Sequence, residues 1–449
     1  MFKFKKIVNL NVLRLLIFST LLLLSFEQFN FARIQVQTYK LKNGLNVILS
    51  PIEGIKSVSV FTYYKTGVRD DPVEFKGVST IFKNIRLNSA TKNFNYLEGV
   101  LYVKNKGGIV ATKIAYDYSY FYQIIAEEDL NIALMLESER FKSLKINNRG
   151  FLIQKNRHIQ KLERLAKYNG YYEAYLWINA KLFANSIYQY SLMGTSLKLK
   201  NLKLSDIKSV YKRYSNPQLA TLVISGEFDT VEVKKTINKY FSDIRAVRDV
   251  KLKYSSFNFI NDSVSKSLVA AKNAENFIII GIPAPSVLNY NFIHFLFMKY
   301  FLFDERIGNI ENLLKNKNNL DITMDYKLTD NIEANSLILG ISSNKKIDVI
   351  RARYLILKYI NNLPITMLKK KKDIQRIKRL MEIDYLKNLS GLLSRSEVLA
   401  KSEHFFGDID VNKNILRKIK NINLLSLVNV CKRYFVKNKM VMLFEYNDD

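Results

Sequence analysis

Short stretches of strand-like alternation are separated along this chain by stretches of helical spacing. The segment "TYKLKNGLNVILSP" alternates apolar and polar residues around Asn43-Gly44, a dipeptide typical of a tight β-hairpin turn, and "SVSVFTYYKTG" alternates in the same way. Residues 77–87 space their apolar side chains by three or four, which predicts a helix with one face in the core. The segment "GGIVATKIAYDYSYFYQIIA" returns to alternation, and residues 128–142 and 151–167 return to helical spacing. The predicted order is therefore strands, helix, strands, helix, helix.

The second part of the chain follows a similar plan. The segment "ATLVISGEFD" predicts a core strand, and after a stretch rich in Lys, Ser and Asn, "NFIIIGIPAP" opens another region that ends in the strand "MVMLFEY". We therefore predict an α+β fold of two similar domains, each a mainly antiparallel sheet packed by helices. The predicted N-terminal domain spans residues 33–246, the linker residues 247–275 and the C-terminal domain residues 276–449.

The N-terminus has the pattern of a targeting segment. The apolar run from Leu15 to Phe26 is preceded by four cations, which are Lys3, Lys5, Lys6 and Arg14. Positive charge followed by a short apolar run predicts a signal peptide over residues 1–32, or a membrane anchor if it is not cleaved. The alternative is a buried helix of the mature fold. We predict an exported protein that is periplasmic, or anchored in the membrane and facing the periplasm.

Composition narrows the classes of partner. The 449 residues include 70 Lys and Arg against 40 Asp and Glu, a formal charge of +30 that would suit nucleic acid, an anionic membrane or an acidic partner. Lys, Asn, Ile and Tyr are abundant together along the whole chain, as an A/T-rich coding sequence would also produce, and the sequence contains no nucleic-acid recognition motif. We therefore predict no nucleic-acid partner. The single cysteine, Cys431, excludes an intrachain disulfide, and its helical surroundings predict a core position.

The order of these segments, and several of their residues, resemble the insulinase/pitrilysin family of zinc peptidases, which includes the mitochondrial processing peptidase. The matching stretches cover most of residues 38–285 and are "LKNGLNVIL", "YYKTGVRDDP" with "GVSTIF", "AYDYSYFYQIIAEEDLNIALMLESER", "YQYSLMGTSLKLKNLKLSDIKSVYKRYSNPQLATLVISGEFD" and "FIIIGIPAPS". The resemblance implies a two-domain peptidase fold. It also directs attention to the helix "GVSTIFKN", where the family carries its metal.

The resemblance implies a zinc site built on an inverted His-x-x-Glu-His motif, in which two histidines bind the metal and the glutamate acts as the base. The positions of this chain that match the motif are Thr80, Lys83 and Asn84. Neutral hydroxyl and amide groups are poor zinc ligands beside imidazole, and an ammonium group cannot accept the proton of the attacking water. We therefore predict no catalytic residues at these degenerate positions and no cofactor, with zinc only if this interpretation is wrong.

The family's more distant metal ligand falls on Glu163 in this chain, 83 residues beyond Thr80. We predict that Glu163 faces Lys83 and forms an ion pair in place of the metal, or that it is a solvated residue. His158 lies five residues before Glu163 and therefore on a different face of the predicted helix, and His294 and His404 have no partner at ligand spacing.

The family's second half contributes an arginine and a tyrosine that bind the substrate backbone. The candidate match "LLKNKNNLDI" puts Lys315 at the arginine position and Ile322 at the tyrosine position, and Arg306 or Tyr326 would substitute if the loop has shifted. Lysine keeps the charge and loses the bidentate geometry, while isoleucine cannot donate a hydrogen bond. Lys315 is therefore the substrate-binding candidate.

These observations predict a non-catalytic homologue of the insulinase-like zinc peptidases, a pseudoenzyme that acts as the peptide-binding or regulatory partner of an active family member. The expected assembly is a heterodimer, and the expected ligand is a neutral or acidic peptide or an unfolded polypeptide. Two alternatives stay open, namely an active zinc metallopeptidase with unusual ligands, and a basic scaffold that binds an acidic polymer or a membrane surface. A third is a relic without a present role.

Overall fold

The computed structural model describes residues 35–246, 254, 257, 259, 263–269 and 275–447. The predicted targeting segment, residues 1–32, lies outside these ranges. Within them, no helix combines the length and the apolar character that a bilayer span requires.

The described residues contain eleven strands, which form two sheets. The strands are β1 Gln37–Lys40, β2 Asn46–Pro51, β3 Ser57–Tyr64, β4 Ile109–Ile114, β5 Ser119–Ala126, β6 Ala220–Gly226, β7 Val264–Val269, β8 Asn276–Ala284, β9 Thr323–Leu328, β10 Asn335–Ser343 and β11 Val441–Tyr446. The strands predicted from alternation are all present. At the Asn43-Gly44 turn, Gly44 has a φ of 91°, the left-handed conformation that favours glycine.

Helices connect and cover the sheets. The α-helices are α1 Val78–Asn88, α2 Glu98–Asn105, α3 Leu130–Lys142, α4 Asn148–Tyr168, α5 Gly170–Leu182, α6 Ser196–Leu199, α7 Leu204–Tyr214, α8 Thr230–Phe241, α9 Phe292–Phe303, α10 Asn309–Glu311, α11 Lys346–Asn361, α12 Leu363–Lys369, α13 Lys371–Ser390, α14 Leu392–Phe406, α15 Val411–Lys420 and α16 Leu424–Tyr434. Residues 312–316 form a π-helical turn after α10.

The two sheets share one topology. The described strands form a six-stranded sheet in the order β1-β2-β6-β3-β5-β4 and a five-stranded sheet in the order β7-β11-β8-β10-β9. Strand β2 runs parallel to β6 as β7 runs parallel to β11. The pairings of β3 with β6, β3 with β5 and β4 with β5 are antiparallel, as are those of β8 with β11, β8 with β10 and β9 with β10. Strands β2 to β6 thus recur in order and direction as β7 to β11. The predicted α+β fold with two similar domains is confirmed.

Each sheet is covered by its own helices on one face and by a helix of the other half on the opposite face. Helices α1, α3, α7 and α8 bury their apolar sides against the first sheet, and α9, α11, α12 and α16 do so against the second. Helix α14 of the C-terminal half packs on β3 and β6, whereas α5 of the N-terminal half packs on β8 and β11. Each half therefore contributes one helix that packs on the sheet of the other half.

Buried polar groups also join the halves. The Arg69 Nη1 atom lies 2.8 Å from Asp117 Oδ1, and its Nη2 atom pairs with Glu333 of the C-terminal half. The Asp117 carboxylate accepts hydrogen bonds from the Tyr188 hydroxyl (2.9 Å) and from the backbone N–H of Ile332 (2.7 Å). A buried carboxylate that is paired and hydrogen-bonded in this way specifies how the two halves dock.

The predicted linker, residues 247–275, contains strand β7 of the second sheet. This strand lies at the sheet edge, and its polar side chains Ser265, Lys266 and Ser267 are exposed. Val264 and Leu268 of this strand are partly buried against the core, but the exposed Lys266 lies between them on the same face, so the apolar alternation is interrupted and the sequence did not indicate the strand. The prediction for Cys431 is confirmed, because the thiol is buried beside Met298 and burial raises its pKa to about 12.

Candidate functional site

The start of helix α1 is held by a buried carboxylate. The Asp71 side chain accepts hydrogen bonds from the backbone N–H groups of Gly77 and Ser79, both at 3.1 Å, and from the Ser79 hydroxyl at 2.5 Å. Burial raises the pKa of Asp71 to about 6. A Cβ at Gly77 would lie 2.4 Å from the backbone of Met193, so glycine is needed where the loop before α6 crosses the start of α1. The helix is thereby positioned against that loop.

Helix α1 turns one face to the core and the other to a cleft. Its apolar residues Val78, Ile81, Phe82 and Ile85 are buried in the core of the first sheet. The three positions that match the family's metal motif, Thr80, Lys83 and Asn84, line the cleft together. The Thr80 hydroxyl donates a hydrogen bond to the carbonyl oxygen of Leu192 at 2.7 Å. The structure therefore brings these three predicted positions together.

The cleft has a volume of about 590 Å³ and lies between α1 and α4, with Ile114 at the end of strand β4 contributing to its wall. Helix α4 presents four polar side chains to it, which are Gln154, Arg157, His158 and Lys161. The sequence analysis did not assign Arg157 or Lys161 to the site. Arg157 follows Gln154 by three residues and Lys161 follows Arg157 by four, which is the spacing of one helix face and was the signal available in the sequence.

The charges around this cleft are all of one sign. Lys83, Arg157 and Lys161 line it, and no Asp or Glu is among the described residues that do so. Within the described part of the chain, none of these three cations has a carboxylate within salt-bridge distance. Burial lowers the pKa of Lys83, and the nearby charge of Lys161 lowers it further. The cleft at the three positions that match the family's metal motif is therefore cationic.

His158 also lines the cleft, although the sequence analysis did not assign it to a site. It is buried, and its Nε2 atom lies 2.8 Å from the carbonyl oxygen of Met193, so the ring donates its Nε2 proton there. Burial lowers the pKa of His158, the bond to Met193 opposes this shift, and Lys161 and Lys83 add to it. Burial and the two lysines therefore favour the neutral form of the imidazole, and its Nε2 nitrogen already donates to the Met193 carbonyl oxygen.

The donor set does not fit zinc. A hydrolytic zinc site needs three protein ligands of the imidazole, thiolate or carboxylate type. Among the residues that the structure describes, no three His, Cys, Asp or Glu side chains gather in a way that could hold a metal ion. The cations of the cleft would repel a metal, and no carboxylate lining the described cleft could activate a water molecule.

The predicted pair between Glu163 and Lys83 is wrong. The Glu163 carboxylate pairs with the Nζ atom of Lys200 at 2.8 Å, and both side chains are about half exposed, at 46% and 58%. Glu163 follows Lys161 by two residues, a rotation of roughly 200° around the helix, so it points away from the cleft that Lys161 lines.

Lys315 is not among the residues that line the cleft, and its Nζ atom lies 3.0 Å from Glu311 one helical turn earlier. Its proposed partner Ile322 is buried in the C-terminal core. Of the alternatives, Arg306 pairs with Asp304 and Asp384. The substrate-binding role of Lys315 stays a prediction.

The three histidines lie in three different environments. His158 borders the cleft, and His294 is buried in α9. His404 in α14 lies between the hydroxyl groups of Tyr63 (2.8 Å) and Tyr254 (2.9 Å), and burial lowers its pKa to about 3. The structure thus does not bring the described histidines together.

The structure is that of an α+β protein with two similar halves. Its cationic cleft lies between helices α1 and α4, and α1 packs against the first sheet. A family model described as the peptidase M16 inactive domain matches residues 201–380. The zinc protease PqqE of Helicobacter pylori (strain ATCC 700392 / 26695) is 25% identical over 246 residues, which are 53% of this chain and 54% of that protein. The chain thus matches about half the length of that curated relative.

Solved structures share the whole fold. The crystal structure of a protease from Helicobacter pylori is similar with a TM-score of 0.84 and 18% identity, over 92% of this chain and 99% of that one. The crystal structure of a peptidase M16 inactive domain from Pseudomonas fluorescens is similar with a TM-score of 0.79 and 12% identity, over 92% and 98%. The chain is thus similar to proteins of the M16 peptidase family in sequence over part of its length and in fold over most of it.

Proposed function

We propose that this chain is a non-catalytic M16 homologue that binds peptides and serves as the partner of an active zinc peptidase. The observation that carries the proposal is the cleft around Thr80, Lys83 and Asn84, where side chains that are poor zinc ligands lie among cations that pair with no carboxylate of the described residues. The core around this cleft is intact, because the helix that bears these positions packs its apolar face fully into the first sheet. A fold that keeps its core while its metal positions have changed retains surfaces for binding.

The edge of the first sheet supports peptide binding. Strand β4, Ile109–Ile114, is the terminal strand of its sheet and pairs with β5 on one side. No described strand pairs with its other side, so the backbone donors and acceptors there could pair with an added strand, the mode by which extended peptides bind to sheet edges. Because Ile114 also lines the cleft, a peptide that pairs with β4 would extend towards the cationic side chains.

We also propose that the chain is exported, since cations precede an apolar run in the segment over residues 1–32. The partner of the heterodimer would be a homologue that carries the complete His-x-x-Glu-His motif on its equivalent helix. The peptide would then be held between the two chains, with the reaction carried out by the partner.

The first experiment measures bound zinc in the purified mature chain by mass spectrometry, together with cleavage of a mixed peptide library with and without a chelator. We expect zinc well below one ion per chain and no cleavage that the chelator abolishes. One zinc per chain with chelator-sensitive cleavage would refute the proposal and support the active peptidase with unusual ligands.

The second experiment mixes the chain with an active M16 peptidase from the same genome and separates the products by size. We expect a complex of one copy of each, and an increase in peptide turnover by the active chain. Binding of an acidic polymer that falls steeply with salt, without any complex or peptide binding, would instead support the basic scaffold.

A further inference from the structure

We infer that the cationic cleft binds the carboxylate of an acidic side chain carried by the bound peptide. This inference rests on the proposed function, because it names the class of peptide that the same site takes. The cleft would then recognise a glutamate or aspartate of the ligand where an active homologue would hold a metal.

The first argument is the arrangement of charge. Arg157 and Lys161 are four residues apart on α4, so their side chains project from one face of the helix, and Lys83 faces the same cleft from α1. Like charges at this spacing destabilise a helix, and no carboxylate among the described residues compensates them. An anion that enters the cleft removes this repulsion and forms charge-assisted hydrogen bonds with the cations.

The second argument is the shape and polarity of the cleft. Its volume of about 590 Å³ accommodates a side chain together with adjacent backbone, and it is lined by the amide groups of Asn84, Asn88 and Gln154 as well as by the cations. Lys83 is partly buried, so water screens its charge less than it screens the exposed Arg157 and Lys161. A carboxylate placed against Lys83 therefore interacts in a lower dielectric than at an open surface.

The third argument identifies a peptide as the source of the carboxylate. The cleft is continuous with the free edge of the first sheet through Ile114, the last residue of β4. A peptide strand that pairs with β4 places its side chains in the cleft at the end of that edge. A small free anion forms no such pairing, so the edge favours a peptide as the source of the carboxylate.

The test uses two fluorescent peptide pools that are identical except for one central residue, which is Glu in the first pool and Gln in the second. Binding of each pool to the purified mature chain is measured by fluorescence anisotropy. We expect the Glu pool to bind about tenfold to a hundredfold more tightly, as one or two charge-assisted hydrogen bonds would give. In the double variant Arg157→Gln with Lys161→Gln, the ratio of the two affinities should fall by about tenfold, because only Lys83 remains to pair with the carboxylate.

The matched control is the double variant Arg164→Gln with Lys167→Gln. It removes the same two charges from exposed positions of the same helix that do not line the cleft. This control should keep the full preference for the Glu pool. An equal loss in both double variants would show that only the net charge of the helix matters, and it would overturn the inference. The single variant Lys83→Met, checked for folding by circular dichroism, should reduce the preference as well.

Competition with acetate and inorganic phosphate separates a peptide site from a small-anion site. The assignment of a peptide carboxylate would be overturned if low concentrations of phosphate displaced the Glu pool and the peptide backbone contributed nothing to binding. Equal binding of the Glu and Gln pools would overturn the inference and leave the proposed function standing. Failure of both pools to bind, together with zinc-dependent cleavage, would overturn the proposed function itself.

Discussion

At the scale of single residues, the environment of a charged side chain decides what it does. Glu137 in α3 is buried, and its carboxylate lies 2.7 Å from Arg86 and 3.3 Å from Arg140, both also buried. Burial opposes the ionisation of Glu137, yet the two guanidinium groups hold its pKa below its usual value. Glu163, at the position that resembles a family metal ligand, is half exposed and pairs with one lysine of the surface. The same residue type is structural in one place and solvated in the other.

The substitution Glu137→Gln should destabilise the protein by about 3 to 5 kcal/mol, because it leaves two buried guanidinium groups without a carboxylate. Arg86 is fully buried, so water cannot replace the lost partner. The measurement is the urea midpoint of unfolding followed by circular dichroism.

The same change at the exposed position, Glu163→Gln, is the control. It should alter stability by less than about 0.5 kcal/mol, since exposed ion pairs contribute little. Equal effects of the two substitutions would contradict the distinction drawn between the buried and the exposed glutamate.

At the scale of elements, the packing of α14 on the first sheet depends on small side chains. Ser396 is fully buried, and its hydroxyl donates to the carbonyl oxygen of Leu392 at 2.9 Å and lies 3.0 Å from the Ser225 hydroxyl and 3.4 Å from that of Ser59. Three serines at one contact allow the helix to approach β3 and β6 closely. The helix α5 uses Gly281 for the same purpose on the second sheet, where a Cβ would lie 2.6 Å from Ile178.

The substitution Ser396→Leu should destabilise the protein by about 1 to 3 kcal/mol, because the larger side chain forces α14 away from the sheet. The variant Ser396→Ala, which removes the hydroxyl without adding volume, should cost no more than about 1.5 kcal/mol. Thermal unfolding and hydrogen exchange of β3 and β6 measure both effects. A larger loss in the alanine variant than in the leucine variant would show that hydrogen bonding, not close approach, holds α14 in place.

At the scale of the whole molecule, the duplication and the packing of one helix of each half on the sheet of the other make the two halves depend on each other. Ile178 and Leu182 of α5 are buried against the second sheet, together with Ile279, Ile338 and Leu443. If the halves separated, these apolar surfaces would meet water, at a cost of about 25 cal/mol for each Å² exposed. The buried pair of Arg69 with Asp117 would be separated from Glu333 as well.

A specific protease site inserted between residues 246 and 264 should therefore cut the chain without separating the halves. We expect the two fragments to elute together in size-exclusion chromatography under native conditions and to separate in urea. The N-terminal half expressed alone should aggregate or bind a hydrophobic dye, because α5 would be uncovered. Elution of both halves as separate folded monomers would contradict this expectation.

The sequence by itself determined the element types, the duplicated plan and the identity of the changed positions. Alternation and helical spacing are local properties, so the strands around Asn43-Gly44 and the helix that bears Thr80, Lys83 and Asn84 could be recognised one segment at a time. Strand β7 was missed for the same reason, since the exposed Lys266 interrupts its apolar alternation.

Only the tertiary structure decided which side chains meet. The insertion of β6 between β2 and β3, the packing of α5 and α14 on the sheets of the opposite halves, and the collection of Lys83, Arg157 and Lys161 around one cleft depend on contacts between residues far apart in the chain. The rotation of α4 about its axis places Lys161 in the cleft and Glu163, two residues later, outside it. The packing of each helix against its sheet sets this rotation. The free energy of packing depends on residues from several segments, so it cannot be inferred from any one segment of the sequence.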